Sequence, residues 1–376
     1  MRSKSHAMHL WVWVALSCSA PAGADYALNM RQGVTETSRQ VYDLHMIIFL
    51  ICCAIGLVVF GVMIYATVKH RKSRGAVAAQ FHESTAAEIA WTVVPIVILV
   101  SMAVPATRTL LAMSDTSDAD MTIKVTGIQW KWKYDYLDEG ISFISSLAPE
   151  HDRARRLGSG VDVTKIPNYL LEVDEPLVVP VGKKIRFLLT ANDVIHSWWL
   201  PDLGWKQDAI PGFINEQWTR IDEPGTYRGQ CAELCGKDHG FMPVVLVAKN
   251  EADYQAWLAQ KKAGARAAAA SAGRTWSREE LMARGAEVYA TSCAACHQPT
   301  GLGLPGAFPA LKGSQVATGP KLAHIQLVLN GKQGTAMAAF RDLLDDADLA
   351  AVLTYERNTW GNDAGLVQPA DVKAAR

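Results

Sequence analysis

"CAELCGKDHGFM", residues 231–242, places two cysteines, one histidine and one methionine within a single short stretch. It follows the strand-like segment "TYRGQ" and precedes "PVVLVA", so we expect a loop at the end of a β-sandwich. A further histidine, His196 in "VIHSWWLP", stands upstream at the end of another predicted strand. Together these residues offer two thiolates, two imidazoles and a thioether to a metal.

Three interpretations of this ligand set differ in how many of its members they use. A structural zinc ion would take two cysteines and two histidines in a closed tetrahedron, which leaves Met242 unused. A disulfide between Cys231 and Cys235 suits an oxidising compartment but leaves the histidines and the methionine unexplained. Copper uses the whole set, because histidine, cysteine and a weak axial methionine form the blue-copper pattern. We favour copper, with the two thiolates bridging two ions that each take one histidine.

The residues around this loop, from about 120 to 250, predict an all-β domain. "MTIKVTGIQWKWKYDY" alternates apolar and polar positions and is rich in β-branched and aromatic residues. Further segments of this kind are separated by turn signals such as "DEPG". Several short strands with frequent turns are typical of a sandwich or barrel.

The second cysteine pair occurs in "CAACH", residues 293–297. Cys-x-x-Cys-His is the attachment signature of c-type haem, in which Cys293 and Cys296 add to the haem vinyl groups and His297 binds the iron. A thioredoxin-like redox pair has similar spacing but needs a βαβ context, whereas the segment before this motif has a helical pattern. The motif therefore predicts covalently bound haem c.

Electron transfer at such a haem needs a sixth iron ligand, and Met/His ligation raises the reduction potential. We predict Met337, in a loop after a predicted helix. Met282 is a competitor, but it stands on the helix that precedes the haem. His324 is another, which we interpret as a residue on a helix surface.

The region that carries the haem motif has the pattern of a small all-α domain. "SREELMARGAEVYATS" is amphipathic and opens with a capping box of Ser277 and Glu280. "KLAHIQLVLNG" and "DDADLAAVLTYERNTW" predict two more helices. The stretch "AGARAAAASAG" before this domain lacks a hydrophobic face, so we predict a flexible linker.

The N-terminal third combines an export signal with two membrane spans. A basic start, the apolar "LWVWVAL" and the small-residue "AGA" predict cleavage after Ala24. Cys18 lies within this signal and would leave with it unless it is lipidated. Two apolar runs, at about 44–68 and 89–113, are each long enough to cross a bilayer. The basic loop "KHRKSRG" between them lies on the cytoplasmic side by the positive-inside rule, which puts everything after the second span outside.

Composition supports this division and excludes one class of partner. The 37 basic and 37 acidic residues balance, which argues against nucleic-acid binding through bulk electrostatics. Of the seven cysteines, Cys52 and Cys53 fall in a predicted membrane helix. The four in the exported part form two close pairs beside histidines, which leaves none to staple the fold.

The helix hairpin, the sandwich and the 231–242 loop together resemble subunit II of cytochrome c oxidase, and the "CAACH" domain resembles class I cytochrome c. The resemblance implies a multidomain chain with a two-helix transmembrane hairpin, an all-β cupredoxin-like sandwich and an all-α cytochrome c domain. Gly285 and Tyr355 stand where class I cytochromes pack their terminal helices together. The expected boundaries are a signal peptide at 1–24, a hairpin at 25–114, a copper domain at 120–250, a linker at 258–275, a haem domain at 276–362 and a tail at 363–376.

The family resemblance also assigns roles at the binuclear copper centre known as CuA. Cys231 and Cys235 would bridge the two coppers. His196 and Met242 would complete one copper, while His239 and the backbone carbonyl of Glu233 would complete the other. The side chain of Glu233 would bind a magnesium ion shared with subunit I; an ordinary loop carboxylate is the alternative.

Two further residues match positions that carry electrons or protons in the family. Trp130, in "QWKWKYDY", would lie above the copper as the point where electrons enter, although a core tryptophan is the plainer interpretation. The family often has an aromatic residue next, whereas this chain has Lys131, which suits a donor supplied within the chain. Glu88 would stand at the mouth of a proton-uptake path, or with Thr85 would form a capping box.

The resemblance implies one subunit of a proton-translocating haem–copper oxidase. Electrons would pass from the fused haem c through CuA to the oxygen-reducing haem and copper of subunit I. Subunit III and an upstream donor, a cytochrome c or a cytochrome bc complex, are further expected partners. The expected location is the bacterial inner membrane, with both metal domains periplasmic. The alternative is a membrane-anchored haem and copper electron carrier that belongs to no oxidase.

Overall fold

The structure, a computed structural model, describes residues 29–80, 82–332, 334–341 and 343–376. The predicted signal peptide and Cys18 lie outside the described residues. The described chain begins with two long helices, continues as a β-sandwich and ends as a bundle of short helices. This order confirms the predicted fold class.

Two apolar helices open the described part. Helix α1 spans Glu36–Lys69 and helix α2 spans Thr85–Ser114, and both are long and apolar enough to cross a membrane. Helix α1 begins before the predicted residue 44, because Thr35 and Ser38 cap its start reciprocally. Helix α2 contains Pro95 and Pro105, as membrane helices tolerate.

The predicted capping box of Thr85 and Glu88 is wrong. Ser84 is the N-cap residue of α2, its side chain makes no capping hydrogen bond, and Thr85 is already helical. Glu88 is an exposed side chain in the first turn, where a carboxylate interacts favourably with the helix dipole.

Ten strands form the middle of the chain. They run β1 Met121–Ile128, β2 Lys131–Tyr136, β3 Ile141–Ser145, β4 Leu177–Pro180, β5 Ile185–Ala191, β6 His196–Leu200, β7 Trp205–Ala209, β8 Asn215–Thr219, β9 Gly225–Cys231 and β10 Pro243–Lys249. One sheet has the order β3-β2-β1-β5-β8 and the other β4-β10-β9-β6-β7. Pairings are antiparallel except β1 with β5 and β4 with β10.

The sandwich core is built by alternation along these strands. In β5, every second residue from Ile185 to Ala191 is buried, and the residues between them are half-buried. Phe187, Trp198 and Trp205 meet between the sheets with ring centroids 5.1–5.9 Å apart, within the range of favourable aromatic pairs. A dry, aromatic-rich core of this kind gives the loops at the end of the sandwich a rigid base.

The predicted flexible linker at 258–275 is wrong for most of its length. A short helix α3, Pro149–Ala154, lies between β3 and β4, and helix α4 spans Glu251–Ala272 without a break. Its first half packs Tyr254 and Leu258 against the sandwich, and Lys262 pairs with Glu139 at 2.6 Å. The second half lacks a hydrophobic face, but alanine has the highest helix propensity of any residue. Propensity therefore continues a helix that tertiary packing has started.

Six helices form the C-terminal part. They are α5 Arg278–Ser292, α6 Ala294–His297, α7 Gln315–Thr318, α8 Lys321–Asn330, α9 Asp346–Asn358 and α10 Pro369–Ala375. The predicted capping box of Ser277 and Glu280 at the start of α5 is present. Helices α5 and α9 approach so closely that a Cβ on Gly285 would lie 2.7 Å from the Cβ of Tyr355. This confirms the expected packing of the terminal helices at these two residues.

The predicted ragged tail at 363–376 is also wrong. Val367 and Val372 are fully buried against the helices, and Lys321 pairs with Asp371 of α10 at 2.7 Å. Helix α10 is too short for a periodic pattern to reveal it, yet its few apolar side chains complete the core.

Candidate functional site

The copper-binding candidate forms where two neighbouring strands end. Cys231 is the last residue of β9 and lies beside β6, which begins at His196. The loop is tied back at both ends, because the Cys231 amide donates to the Met242 carbonyl and the Ala232 amide donates to the Ser197 carbonyl, each at 2.9 Å. The β6–β9 pairing thus brings together ligands that are far apart in the sequence.

The donor atoms converge on one small volume. The Sγ atoms of Cys231 and Cys235 lie 3.8 Å apart. His196 Nδ1 lies 4.0 Å from Cys231 Sγ, and His239 Nδ1 lies 3.6 Å from Cys235 Sγ. The carbonyl oxygen of Glu233 is 3.4 Å from Cys231 Sγ. Two sulfurs therefore form the centre of the cluster, with one imidazole nitrogen facing each of them.

This donor set fits copper. His196, Cys231, Cys235 and Met242 are between 0 and 3% exposed, which makes a dry site. Donor atoms of His196 and the two cysteines all lie within 4.8 Å of one another. Thiolate, imidazole and thioether are the soft and borderline ligands that copper prefers. Met242 packs in the same core as both cysteines, and His239 is half-buried at the outer side.

The electrostatics prepare the pair for deprotonation. The neighbouring Cys235 thiol, with His196 and backbone hydrogen bonds, holds the pKa of Cys231 well below its ordinary value against the cost of burial. The same contact, together with burial, raises the pKa of Cys235, because the two sulfurs titrate as a coupled pair. Burial lowers the pKa of His196, but the hydrogen bonds to Asp193 and Cys231 outweigh it, so that this pKa lies above its ordinary value.

Sequence reasoning missed the residues that support the ligands. The carboxylate of Asp193 lies 2.8 Å from His196 Nε2 and also accepts a hydrogen bond from the backbone amide of Gln129 at 2.7 Å. A carboxylate behind a ligand histidine fixes the orientation of the ring. The only signal in the sequence is an aspartate three positions before His196.

Two glycines give the site its space. A Cβ on Gly127 would lie 2.7 Å from the His196 ring, so β1 can pass the imidazole only without a side chain. Gly236, with a φ of +117°, has the Gln129 amide and the Trp130 ring within 3.0 and 3.3 Å of where its Cβ would be. Neither glycine stands out in the sequence, because each close approach depends on the register of distant strands.

Trp130 contacts the copper loop through a hydrogen bond. Its Nε1 donates to the Cys235 carbonyl at 3.2 Å, and Gln129 Nε2 donates to the same oxygen at 2.9 Å. Trp130 is half-buried and packs at the edge of the core, as the plainer interpretation expects, and its role in electron entry stays a prediction.

The haem-binding candidate occupies the turn after α5. Cys293 is the C-cap residue of α5, and the one-turn helix α6 carries Cys296 and His297. Both cysteines are free thiols and half-buried. His297 Nδ1 lies 2.8 Å from the Pro309 carbonyl, which leaves Nε2 for an iron ion. This residue set fits a covalently attached haem.

Two of the candidates for the sixth iron ligand, Met337 and His324, lie in different surroundings. Met337 is half-buried in a tight loop, in which the Lys332 amide donates to the Met337 carbonyl at 3.0 Å. Met337 packs against a different group of buried side chains from Cys293. The interpretation of His324 as a surface residue is wrong, since it is 2% exposed and its Nε2 lies 3.2 Å from a Glu356 carboxylate oxygen. The buried face of α8 includes His324 because the α9 helix supplies an ionic partner.

Three families of known sequence match consecutive parts of the chain. The family described as cytochrome c oxidase subunit II, transmembrane domain, matches residues 23–109, and the periplasmic domain of the same subunit matches residues 121–249. The family described as cytochrome c oxidase, cbb3-type, subunit III, matches residues 280–355.

Individual proteins give the same result. A probable cytochrome c oxidase subunit 2 of Rickettsia bellii is 38% identical over 65% of this chain and 87% of its own length. Cytochrome c oxidase subunit 2 of Alkalihalophilus pseudofirmus is 32% identical over 85% of this chain and 86% of its own length, so this match extends beyond the copper domain. The periplasmic domain of subunit II of cytochrome oxidase of Bradyrhizobium japonicum is 41% identical over 40% of this chain and 98% of that chain, with a TM-score of 0.35.

Proposed function

The chain belongs to the family of cytochrome c oxidase subunit II and carries a fused cytochrome c domain, and we propose that it relays electrons from its own haem c through a binuclear CuA centre to subunit I. The oxygen-reducing site lies on that other subunit, and oxygen reduction there is coupled to proton translocation. The two domain types imply copper and haem binding. The binuclear form of the copper, the covalent form of the haem and every ligand below are part of the proposal.

The observation that carries the proposal is the pair of sulfurs with one imidazole on each side. Cys231 and Cys235 would bridge two coppers, since their Sγ atoms lie 3.8 Å apart. His196 and Met242 would complete one copper, and His239 with the carbonyl of Glu233 would complete the other. A mononuclear zinc site accounts for neither Met242 nor the orientation of the Glu233 carbonyl.

The haem proposal rests on the turn at the end of α5. Cys293 and Cys296 would form the thioethers, His297 would bind the iron through Nε2, and Met337 would be the sixth ligand. The Pro309 carbonyl holds the His297 ring in one orientation. When bound, the haem and the copper pair supply the one-electron chemistry.

The protein contributes rigidity and dryness at the copper. The ligands are buried and held by backbone hydrogen bonds, so their positions need not change when the charge of the site changes. Trp130, hydrogen-bonded to the Cys235 carbonyl, is the proposed point where electrons enter. The charge of Asp193 steadies His196 and strengthens it as a ligand.

Two further roles extend the proposal to the partner subunit. The Glu233 side chain would bind a magnesium ion at the boundary with subunit I. Glu88, exposed at the start of α2, would stand at the mouth of a proton path. Glu88 can also stabilise the N-terminus of α2 through the helix dipole, and this is compatible with its proposed place on the proton path.

Subunit I is the partner that the oxidase family implies, and the two apolar helices indicate a membrane-anchored protein. We propose subunit III and an external cytochrome c or cytochrome bc complex as further partners. We also propose the bacterial inner membrane, with the metal domains on the periplasmic side. The alternative, a carrier outside any oxidase, is not favoured by the relatives, which are named as oxidase subunits.

Metal analysis of the full chain, produced without subunit I and matured with haem and copper, tests the proposal. We expect about two coppers per haem iron and, after partial reduction, an electron spin shared by both copper nuclei. Cys235→Ser should abolish the shared-spin signal and leave the haem spectrum intact. Cys52→Ser, in α1, is the matched control and should change neither. A single copper, or zinc, in the unsubstituted chain would overturn the binuclear assignment.

A further inference from the structure

Lys237 joins the copper loop to the haem-attachment segment. It lies between the predicted copper ligands Cys235 and His239. Its Nζ donates to the carbonyl oxygen of Ala295, in the middle of "CAACH", at 2.9 Å. One side chain thus reaches from the loop that would hold copper to the turn that would hold haem.

Aromatic rings from both domains surround the same ammonium group. Lys237 Nζ lies 5.8 Å from the centroid of Trp130 and 5.7 Å from the centroid of Phe308. Both distances are within the range of about 6 Å at which a cation is attracted to a ring face. Trp130 belongs to the sandwich, whereas Phe308 lies in the loop that follows His297. The contacts therefore span the junction rather than one domain.

A second lysine of the sandwich lies at this junction. Lys131 opens β2 and is only 7% exposed. Burial lowers its pKa, and electrostatic interactions with nearby groups that include Cys293 and Cys296 oppose this effect. Lys131 is thus a buried lysine within electrostatic range of both haem-attachment cysteines, in agreement with the contacts that Lys237 makes between the two domains.

We propose that Lys237 is a positioning residue that docks the haem-attachment segment of this chain onto its own copper loop, beside Trp130 and Lys131. This inference rests on the proposed function. The docking proposal adds that the haem domain of this chain, as the electron donor, occupies the Trp130 side of the copper domain in a fixed arrangement. An external donor would then deliver electrons to the haem domain, because the chain itself occupies this approach to the copper.

The test compares three variants of the complete oxidase. Lys237→Ala removes the donor and the charge, and Lys237→Arg keeps both. Lys183→Ala removes an exposed lysine near the start of β5, at the opposite end of the β1–β5 pair from Trp130. Three quantities are measured in each: copper and haem content with both reduction potentials, hydrogen exchange of residues 293–309, and the rate of electron transfer from haem to copper after rapid reduction of the haem.

We expect Lys237→Ala to slow the haem-to-copper step about tenfold, as loss of one charge-assisted hydrogen bond would do to the docked population. Hydrogen exchange at residues 293–297 should rise, while cofactor content and both potentials stay the same. Lys237→Arg should restore the rate and the protection, and Lys183→Ala should match the parent oxidase.

Unchanged exchange and an unchanged rate in Lys237→Ala, with both cofactors present, would overturn the docking role. Loss of copper in that variant, or a shifted copper potential, would also overturn it, because Lys237 would then act on the copper loop alone. A parent chain that lacks the copper pair or the haem would instead refute the proposed function, so the two failures are distinguishable.

Discussion

The copper and haem candidates differ in what holds their ligands. On the copper side, His196, Cys231, Cys235 and Met242 are buried in a β-sandwich and tied by hydrogen bonds between strands and loop. On the haem side, Cys293, Cys296 and His297 are half-buried on a helix end and a one-turn helix. The proposed sixth ligand, Met337, packs with a separate group of core residues.

The comparison indicates that the copper site is a property of the sandwich, whereas the haem site depends on several short elements staying packed together. Strand pairing fixes His196 beside Cys231 through continuous backbone contacts. In the haem domain, helices α5 and α9 and the small helix α10 must close on each other before the ligands can face one another. Substitutions in the sandwich should therefore affect copper binding, whereas substitutions between the short helices should affect the stability of the haem domain.

The largest effect should come from crowding the copper site through the backbone. Gly127→Ala would put a Cβ 2.7 Å from the ring of His196, which is fully buried and in contact with Asp193. We expect loss of copper binding and a free energy of unfolding of the sandwich lower by about 1–3 kcal/mol, as for overpacked cores. Copper analysis and chemical denaturation measure the two quantities.

Gly240→Ala is the control for this substitution, because a Cβ there meets nothing within 4 Å. It should keep both copper and stability. Full copper occupancy in Gly127→Ala would show that the sandwich does not fix His196, and the contrast between the two regions would fail on the copper side.

The sequence was sufficient to predict the cluster of proposed copper ligands, because these residues combine specific chemistry with short spacing. Cys231, Cys235, His239 and Met242 lie in one loop, and His196 was found from the end of a predicted strand. Supporting residues such as Gly127 and Asp193 were missed because their contacts depend on the pairing of strands distant in the sequence. Local patterns do not contain that information.

The errors in the haem region have a related cause. The segment "AGARAAAASAG" was interpreted as a coil from its missing hydrophobic face, yet alanine propensity extends α4 to Ala272. The sequence predicts a tail at 363–376 and a surface position for His324, whereas the packing of α9 and α10 buries both Val372 and His324. Short helices gain their stability from tertiary contacts, so sequence periodicity underestimates them.

A smaller effect should follow from weakening the packing of α10. Val372 is fully buried, and Val372→Ala should lower the free energy of unfolding of the haem domain by about 2 kcal/mol. The copper spectrum should not change, because the sandwich has its own core. Thermal unfolding followed at the haem absorbance and at the copper absorbance separates the two domains.

Leu322→Ala, at a residue 55% exposed on α8, is the control and should have little effect. If Val372→Ala did not change the unfolding temperature followed at the haem absorbance, α10 would not contribute to the stability of the haem-domain core. The haem site would then resemble the copper site in being supported by one compact unit.

The smallest effect should come from changing the group that contacts the ring nitrogen not used for the metal, which is Nε2 in His196 and Nδ1 in His297. Asp193, a charged carboxylate, supports His196, whereas the neutral carbonyl of Pro309 supports His297. Asp193→Asn would give His196 a neutral partner of the same shape, so the imidazole would donate less electron density to the metal. We expect copper affinity to fall about tenfold, as is usual when such a partner is lost, and the copper reduction potential to rise because the oxidised form is stabilised less. Competition with a copper chelator measures the affinity, and a redox titration measures the potential. An unchanged affinity together with an unchanged potential would mean that both centres need only an oriented ring, and that the charge behind His196 serves the fold rather than the metal.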